Sequence, residues 1–517
     1  MNFNQGMALG GSSAMNACVF VPPSRDVMDG WEKLGNPGWN WEIMKPYFQK
    51  VFNVPKLSPE AKKHLGISWS DDEAFNGPLK TSFPCQLEDP LASAWDRTFK
   101  TIGYQMTEDP FSGIGVGSFP SLSTVDPTTK ERSYSATAYY KPAAHRENLH
   151  VRTGSVVEKL LFQKTHSSLE TTGVQFQQNG VIILAKARRE VILAAGALQS
   201  PKLLELSGIG NAMLLKKHGI EVLFDNPYVG ENLQDHVASR IGLVGFGKTE
   251  DARDMDPIDA AMARFKGTGA GSFILIGCPS YAYLPVMDLQ DSTGLATLQS
   301  LLDSYAPQEA DSAHPQARIY YDLAKNGLKN DSEASAAYLT SIWQNNPTDG
   351  SVPEKAVLVG VMLSQPLSRG NVHIVSSNPT DAPTIDPKYF NNTLDLEIYA
   401  RHVQYLETIA DSEPLRSEIS KIPSARAPAF YLKDLEVAKE YVRRTITSMW
   451  HPCGTCSMLP KEKGGVVDGR LVVFGTRNLR VVDASVMPLI PRANPQATVY
   501  AVAERVADLI KQDHGHI

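Results

Sequence analysis

Two short stretches carry residues whose types and spacing could do chemistry. "QGMALGGSSAMN", residues 5–16, sets Gly10, Gly11, Ser12 and Ser13 in a row. Side chains this small leave the backbone bare, so such a loop can lie against phosphates or can simply make a turn. "HPCGTCSM", residues 451–458, holds a histidine and a C-x-x-C, Cys453 and Cys456. That cysteine spacing serves a dithiol redox pair or half of a zinc site. A zinc site needs two further ligands at suitable spacing, and none is near. A thioredoxin-type motif opens a helix after a strand, which is not what surrounds this one. Two small buried thiols are therefore expected. His451 can take a proton near neutral pH as an imidazole, although a lone histidine is as readily structural.

Such groups need rigid elements to position them. The apolar run Val191–Ala195 enters "GALQSPKLLELSGIG" (196–210), which reads as strand, glycine-rich turn and helix, with Pro201 in the first turn and Gly208 near the end. An apolar strand feeding a helix is the unit of a doubly wound α/β sheet. Residues 173–196 contain three strands, with a hairpin turn at Asn179-Gly180. Upstream, Ser135–Tyr140 reads as a buried helix-like run, "NLHVRTG" as a strand and "VVEKLLF" as another. "NLRVVDAS" (478–485) is a further buried strand. It leads through a Pro-rich loop to a last helix whose apolar stripe is Val499, Val502, Ala503, Val506, Leu509 and Ile510. Residues 245–440 mix helices, Pro-rich loops and short strands such as "NVHIVSS" (371–377).

With 517 residues, 42% hydrophobic and 21% charged, the chain has ordinary globular composition and ample length for two domains. A net charge of −6 without a long basic run argues against a nucleic-acid partner. No apolar run reaches the ~18 residues of a membrane span; the nearest, 271–286, is interrupted by Gly, Pro and polar residues. The first residues lack the basic and apolar regions of a signal peptide, which taken alone points to the cytosol. Five cysteines spread over this length do not make a disulfide framework.

"GMALGGSSAMNACVFVPPSRDVMDGW", "GALQSPKLLELSGIG" and residues 451–504 resemble, in order, the two signatures and the C-terminal active-site segment of the glucose–methanol–choline (GMC) oxidoreductases. "RSYSATAYYKP", "GENLQDH" and "QPLSRGNVHI" fill the order between them. The resemblance implies a flavoprotein that oxidises CH–OH groups with FAD, with a Rossmann-like domain and a substrate domain whose antiparallel sheet caps the flavin. Members of this family open with a strand, a G-x-G-x-x-G turn, a helix and a second strand ending in Glu. "SGIGVGS" (112–118) and "GTGAGS" (267–272) are no replacement and read as loops. The expected fold class is α/β: an incomplete, discontinuous Rossmann-like FAD-binding domain (1–45, 130–245 and 441–517) plus an α+β substrate-binding domain (46–129 and 246–440). The sequence reads as a piece without the opening βαβ unit. Val191–Ala195 and Leu479–Asp483 are then expected to lack a neighbouring strand.

The resemblance places His451 on the family's catalytic histidine and Asn494 on its partner. His451 would take the hydroxyl proton and Asn494 would hold the substrate oxygen. The hydride would go to the flavin, since no side chain can accept one. Gly10, Gly11 and Ser12 match the second FAD-contacting segment of the family. Asn16, Ala17, Cys18 and Val19 should run beside the isoalloxazine, Val157 matches a position that reads the adenine, and Asp483, Ala484, Pro495 and Gln496 match segments near the ribityl chain and the pyrimidine edge. Met15 stands where some relatives carry a histidine bonded to FAD, so non-covalent FAD is expected. Met7 replaces a basic or amide residue. His236 reads as a structural loop residue, His514 and His516 as a frayed tail, and Arg369 as a turn anchor. The match at 451–504 is to the aryl-alcohol oxidase-like branch, often found with fungal secondary-metabolite genes. The expected partner is a small aromatic or polyketide-like alcohol, with oxygen or a quinone-like acceptor left open. The alternative is a flavin-free protein using the same cup as a non-redox isomerase or lyase, or for binding.

Overall fold

The computed structural model describes residues 3–515 except 22, 69–74, 84–89, 107, 167, 247–279, 307–316, 346–353, 421–431, 433 and 493. "GTGAGS" and His516 lie outside the described residues. Two large apolar cores organise the rest.

The first core gathers both ends of the chain. Met28, Trp31, Trp41, Phe48 and Phe52 pack with Leu204, Met458, Val481, Ala501 and Val506. Phe48, Val51, Phe52, Phe75 and Leu79 belong to it, although the sequence reading assigns 46–129 to the substrate domain. The hairpin falls where expected: Leu169–Gln178 pairs antiparallel with Val181–Lys186, and Asn179 and Gly180 both take positive φ (52° and 78°) as a two-residue turn demands. Ser155–Lys164 adds the third strand. "NLHVRTG" is not a strand; residues 148–154 are irregular and exposed, because no partner edge is available to them among the described residues. Val191–Leu193 pairs in parallel with Leu479–Val481 in a sheet of two strands among the described residues, and Ile192 is 47% exposed.

The helix Gly196–Leu206 starts a turn earlier than its sequence suggests, so Pro201 lies inside it. A proline there cannot donate to the carbonyl four residues back, that of Ala197. The Thr455 hydroxyl donates to this carbonyl instead, at 2.6 Å, and so ties the helix to the His451 segment. Asp483 tethers the same N-terminal turn: its carboxylate accepts from Gly196 N at 2.9 Å and from the Ser200 hydroxyl at 2.5 Å, a favourable place for a negative charge. The last helix spans Gln496–Asp513. Its buried side holds Val502 and Val506, but Ala503 faces solvent and Arg505 is buried in its place, over the Trp39 ring. The aliphatic stem and flat guanidinium of arginine pack well on an aromatic face.

The second core lies against a six-stranded antiparallel sheet, ordered Thr447–Ser448, Val237–Phe246, Glu354–Leu363, Ala336–Asn345, Ser280–Leu284 and Gly117–Pro120. "SGIGVGS" thus runs into the edge strand of this sheet. Side chains alternate across the sheet, as a period of two requires. Ala282, Tyr338, Val359 and Val361 face the helices Pro90–Thr101 and Thr393–Asp411. Tyr281, Tyr283, Leu339 and Met362 face the opposite way, with Phe119. Trp95 anchors this arrangement, donating its indole N–H to the Tyr281 carbonyl at 3.2 Å while its ring packs on Phe99. Trp95→Ala is expected to destabilise the protein by about 3–5 kcal/mol, the usual cost of deleting a fully buried aromatic. The shift of the urea-unfolding midpoint measures it.

Candidate active site

Two segments meet to present His451. Val237 and Ala238 pair with Ser448 and Thr447, Met449 N donates to the His236 carbonyl, and Gln234 and Cys453 exchange both backbone hydrogen bonds. Between these fixed points Trp450, His451 and Pro452 oppose Asp235 alone. The extra residues bulge out, with Trp450 at φ 56°, a left-handed conformation rare for a bulky side chain. Bulges of this kind re-aim a side chain, and here the re-aimed side chain is His451.

The grip on His451 is double. The Asp235 carboxylate accepts from His451 N at 2.8 Å, from the Ser448 hydroxyl at 2.6 Å and from the Tyr389 hydroxyl. Burial pushes its carboxyl up to about 6, against those hydrogen bonds. His236, buried beside it, sets its Nδ1 2.9 Å from His451 Nδ1 and its Nε2 3.0 Å from the Ser364 carbonyl. On the other side of the ring, His451 Nε2 lies 3.1 Å from Asn494 Nδ2. The Tyr281 hydroxyl, from the six-stranded sheet, donates to Asn494 Oδ1 at 2.8 Å. Burial, and then the neighbouring His236, hold His451 well below the ordinary histidine range. His236 itself is pushed down to about 4 by burial. Both rings are therefore neutral near pH 7.

The glycine–serine stretch forms a tight turn running into a short 3₁₀ helix, Gly11–Ala14. Gly10 has φ 97°, and a Cβ there would meet the Tyr134 ring at 2.7 Å, so conformation and space both require glycine. Ser13 donates to the Gly10 carbonyl at 2.6 Å and meets Ser135 at 3.0 Å. A Cβ at Gly11 would meet nothing within 4 Å, which leaves that backbone open to a ligand. Asn16 links this loop to the site: its Nδ2 donates to Gln496 Oε1 at 2.8 Å, and Arg132 donates to its carbonyl at 2.7 Å. Cys18 follows at φ 61°, then Val19 enters a short strand paired with Leu122–Ser123. Gln496 and Pro495 adjoin Asn494 at the helix start. Ala484 accepts from Gly454 N at 3.2 Å, beside the histidine segment.

Hydrogen bonds thus tie Asn16 to Gln496, two residues from Asn494, and Ala484 to Gly454, three residues from His451, while Gly10, Gly11 and Ser12 make the turn that leads into Asn16–Val19. Asp483 is different, since both its carboxylate oxygens serve the chain itself, Oδ1 accepting from Ser485 N. Val157 sits in the separate three-stranded sheet, 37% exposed, and no hydrogen bond among the described residues joins it to this web. Met7, 94% exposed, flanks the loop in sequence without packing on it. An open glycine backbone at Gly11, and a neutral imidazole and an amide on the segment tied to it through Asn16, are groups that suit a flavin, which needs close approach and hydrogen bonds rather than charge.

Two expectations, those for His236 and His514, are corrected, and one residue, Tyr281, is added. His236 is no loop filler but a direct partner of His451; the signal available was the adjacency of two buriable polar residues, Asp235-His236, which sequence could not connect to a histidine 215 positions away. Tyr281 was not singled out, since a tyrosine in an apolar strand carries no distinguishing mark. His514 is not frayed but lies 2.9 Å from the Glu190 carboxylate. Arg369 does anchor a turn, donating to the Ser368 carbonyl at 3.1 Å and to that of Pro366. Cys453 and Cys456 are buried, and burial pushes both thiols up, away from thiolate chemistry. A cavity of about 180 Å³ between the helices Arg25–Lys33 and Ala317–Lys329, lined by Glu333 and Asp395, contains none of the residues at the His451 pair.

Comparison with known proteins shows the family and the fold. The two models of the GMC oxidoreductases match residues 1–238 and 366–503. The chain is 34% identical to Dehydrogenase citC of Monascus ruber, over 99% of this chain and 84% of that protein. It is 30% identical to Dehydrogenase xptC of Emericella nidulans, over 98% and 81%. A FAD-dependent oxidoreductase from Chaetomium thermophilum superposes with a TM-score of 0.86 at 28% identity, covering 99% of this chain and 87% of that one. A fungal aryl-alcohol oxidase superposes with 0.81 at 27%, covering 98% and 86%.

Asp235 gives a test of the bulge. Asp235→Ala strands four donors in the interior, the Ser448 and Tyr389 hydroxyls and the His236 and His451 main-chain N–H groups, and is expected to cost roughly 3 kcal/mol or more. Asp235→Asn keeps one acceptor oxygen for His451 N, and the Ser448 and Tyr389 hydroxyls can rotate to accept. It is expected to cost less than half as much. Urea denaturation of the two variants distinguishes them.

Proposed function

We propose that this chain, which belongs to the GMC oxidoreductase family and is a FAD-dependent dehydrogenase or oxidase, oxidises the CH–OH group of a small alcohol at the His451–Asn494 pair. The observation that carries this reading is the 3.1 Å approach of His451 Nε2 to Asn494 Nδ2, on a segment that Gln496 ties to Asn16 at the end of the glycine–serine loop. An alcohol oxygen seated there takes over the Asn494 N–H from Nε2 and gives its proton to the lone pair so freed. That hydrogen bond holds the oxygen as negative charge develops on it. Tyr281 fixes the amide so that its N–H and not its oxygen meets the substrate. Gly10, Gly11 and Ser12, Asn16–Val19, Ala484 and Pro495–Gln496 would hold the flavin, with Asp483 supporting the turn and Val157 near the adenine end. FAD, when bound, supplies the acceptor for the hydride that no side chain can take.

Met15 offers no nucleophile for a bond to the ring, which supports non-covalent binding. The residues behind Tyr281 are Phe119, Tyr283, Leu339 and Met362, an aromatic and apolar set. An apolar, aromatic sheet face behind Tyr281 suits an aromatic or polyketide-derived alcohol better than a sugar, in line with the aryl-alcohol oxidase among the similar structures. The division of labour follows the two cores: the first carries the cofactor loops and the histidine segment, and the six-stranded sheet bounds the substrate.

His451→Ala is expected to lower kcat for benzylic alcohols by about 10²–10⁴, the usual range for a general base, with the visible absorbance of bound flavin unchanged. Turnover within a few-fold of wild type, or a wild-type protein that folds yet purifies without flavin, overturns the reading. The pH profile gives a second check. Protonation of His451 abolishes the base, and its pKa is held well below 6.5. The acid limb of kcat/KM is therefore expected entirely below pH 6.5, with a level rate from there to neutrality.

A further inference from the structure

We infer that His236 is a positioning residue that fixes which nitrogen of His451 carries the proton, leaving Nε2 bare towards the substrate hydroxyl. This rests on the reading of His451 as the base.

The chain of hydrogen bonds admits one arrangement. The Ser364 carbonyl can only accept, so His236 Nε2, 3.0 Å away, carries a proton. A neutral imidazole has one N–H, so His236 Nδ1 is a lone pair. His451 Nδ1, 2.9 Å from that lone pair, must donate to it. His451 Nε2 is then the unprotonated nitrogen. It faces the Asn494 N–H, whose orientation the Tyr281 hydroxyl sets from the other end by donating to Oδ1. The two imidazole planes are perpendicular with centroids 5.1 Å apart, so the contact is nitrogen to nitrogen rather than ring on ring.

No charge competes for the proton. The carboxylate of Asp235 is occupied by the Ser448 and Tyr389 hydroxyls and by the main-chain N–H groups of His236 and His451, and neither ring nitrogen is among its partners. The Pro491 carbonyl also faces His236, and it too can only accept. Burial of both rings disfavours an imidazolium at either position. A His451 carrying its proton on Nε2 would present a donor to the alcohol and could not take its hydrogen. The tautomer therefore decides whether the base is competent.

The test is a two-bond proton–nitrogen correlation spectrum of the FAD-loaded enzyme labelled with ¹⁵N-histidine, the His451 signals being those lost in His451→Ala. A protonated Nδ1 and a bare Nε2 at neutral pH are expected; a protonated Nε2 overturns the inference. Two variants read the consequence. His236→Leu cannot accept from Nδ1, and kcat is expected to fall by roughly 10² with KM within about threefold, while the Nε2-protonated form appears in the spectrum. His236→Asn sets a carboxamide oxygen near the place of Nδ1 and is expected to recover most of that loss. Equal losses in both variants mean that packing alone is at work and overturn the inference. If the leucine variant does not fold, the wild-type spectrum and the asparagine variant decide, the latter counting against the inference when it loses as much as His451→Ala. Turnover by His451→Ala defeats the reading of His451 as base and leaves the tautomer, read spectroscopically, to stand or fall by itself.

Discussion

The site depends on the pairing of two segments far apart in sequence, Gln234–Ala238 and Thr447–Cys453, around a bulge. Backbone bonds at both ends fix the segments against each other, and the excess residues between them have only one way to go. That backbone carries a bulky residue, Trp450, in a left-handed conformation, which is a cost. The Asp235 carboxylate offsets it by taking the His451 N–H that no strand partner meets. Burying a carboxylate is itself unfavourable, and four donors are what make it tolerable. Without that anchor the imidazole would have no fixed origin, and a 3.1 Å relation to Asn494 could not persist.

The pair also sits between the first core and the six-stranded sheet. His451 and Asn494 come from segments whose neighbours pack in the first core, while Tyr281 reaches Asn494 from the sheet face turned away from the second core. The glycine–serine loop is tied in through Asn16 and Gln496, and the helix after Val191–Leu193 through Thr455 and Ala197. Each connection is a polar bond between a loop and the end of a regular element. Loops carry the chemistry, and the regular elements hold them still.

What could be read from sequence follows from how local each signal is. The hairpin at Asn179-Gly180, the strand–helix unit at 191–206 and the final helix are written in a few consecutive residues, and they appear in the fold. The His451–Asn494 pairing was legible through ordered motifs, and the structure brings the two side chains together. "NLHVRTG" failed because alternation of apolar and polar residues specifies a strand only when an edge is available to pair with. The place of Pro201 failed because propensity puts a proline at a helix start, while a hydroxyl from residue 455 relieves the orphaned carbonyl. The allocation of 46–129 failed in part because Phe48, Phe52 and Phe75 are hydrophobic in a way that does not say which of two cores will take them. His236 was beyond reach: its role is a 2.9 Å contact made across the bulge, and nothing near residue 236 encodes it.

The choice of partner for His451 has a physical logic. A carboxylate on Nδ1, as in a serine protease triad, would fix the same tautomer but would also stabilise the imidazolium and raise the pKa. A second histidine fixes the tautomer without adding charge. The neighbouring residues 235 and 236 thus divide two tasks that one acid would combine: Asp235 applies its charge to the main chain of His451, and His236 applies a neutral lone pair to its ring. On the proposed reading of His451 as the base, a base held neutral in this way is available over a wide pH range but is intrinsically weaker. Its efficiency must then come from what lowers the demand on it, namely a hydrogen bond to the developing alkoxide and exact placement of the oxygen. Asn494, held by Tyr281, is the group in a position to provide both. The weak base and the oriented amide are in this sense one design, and neither would suffice without the other.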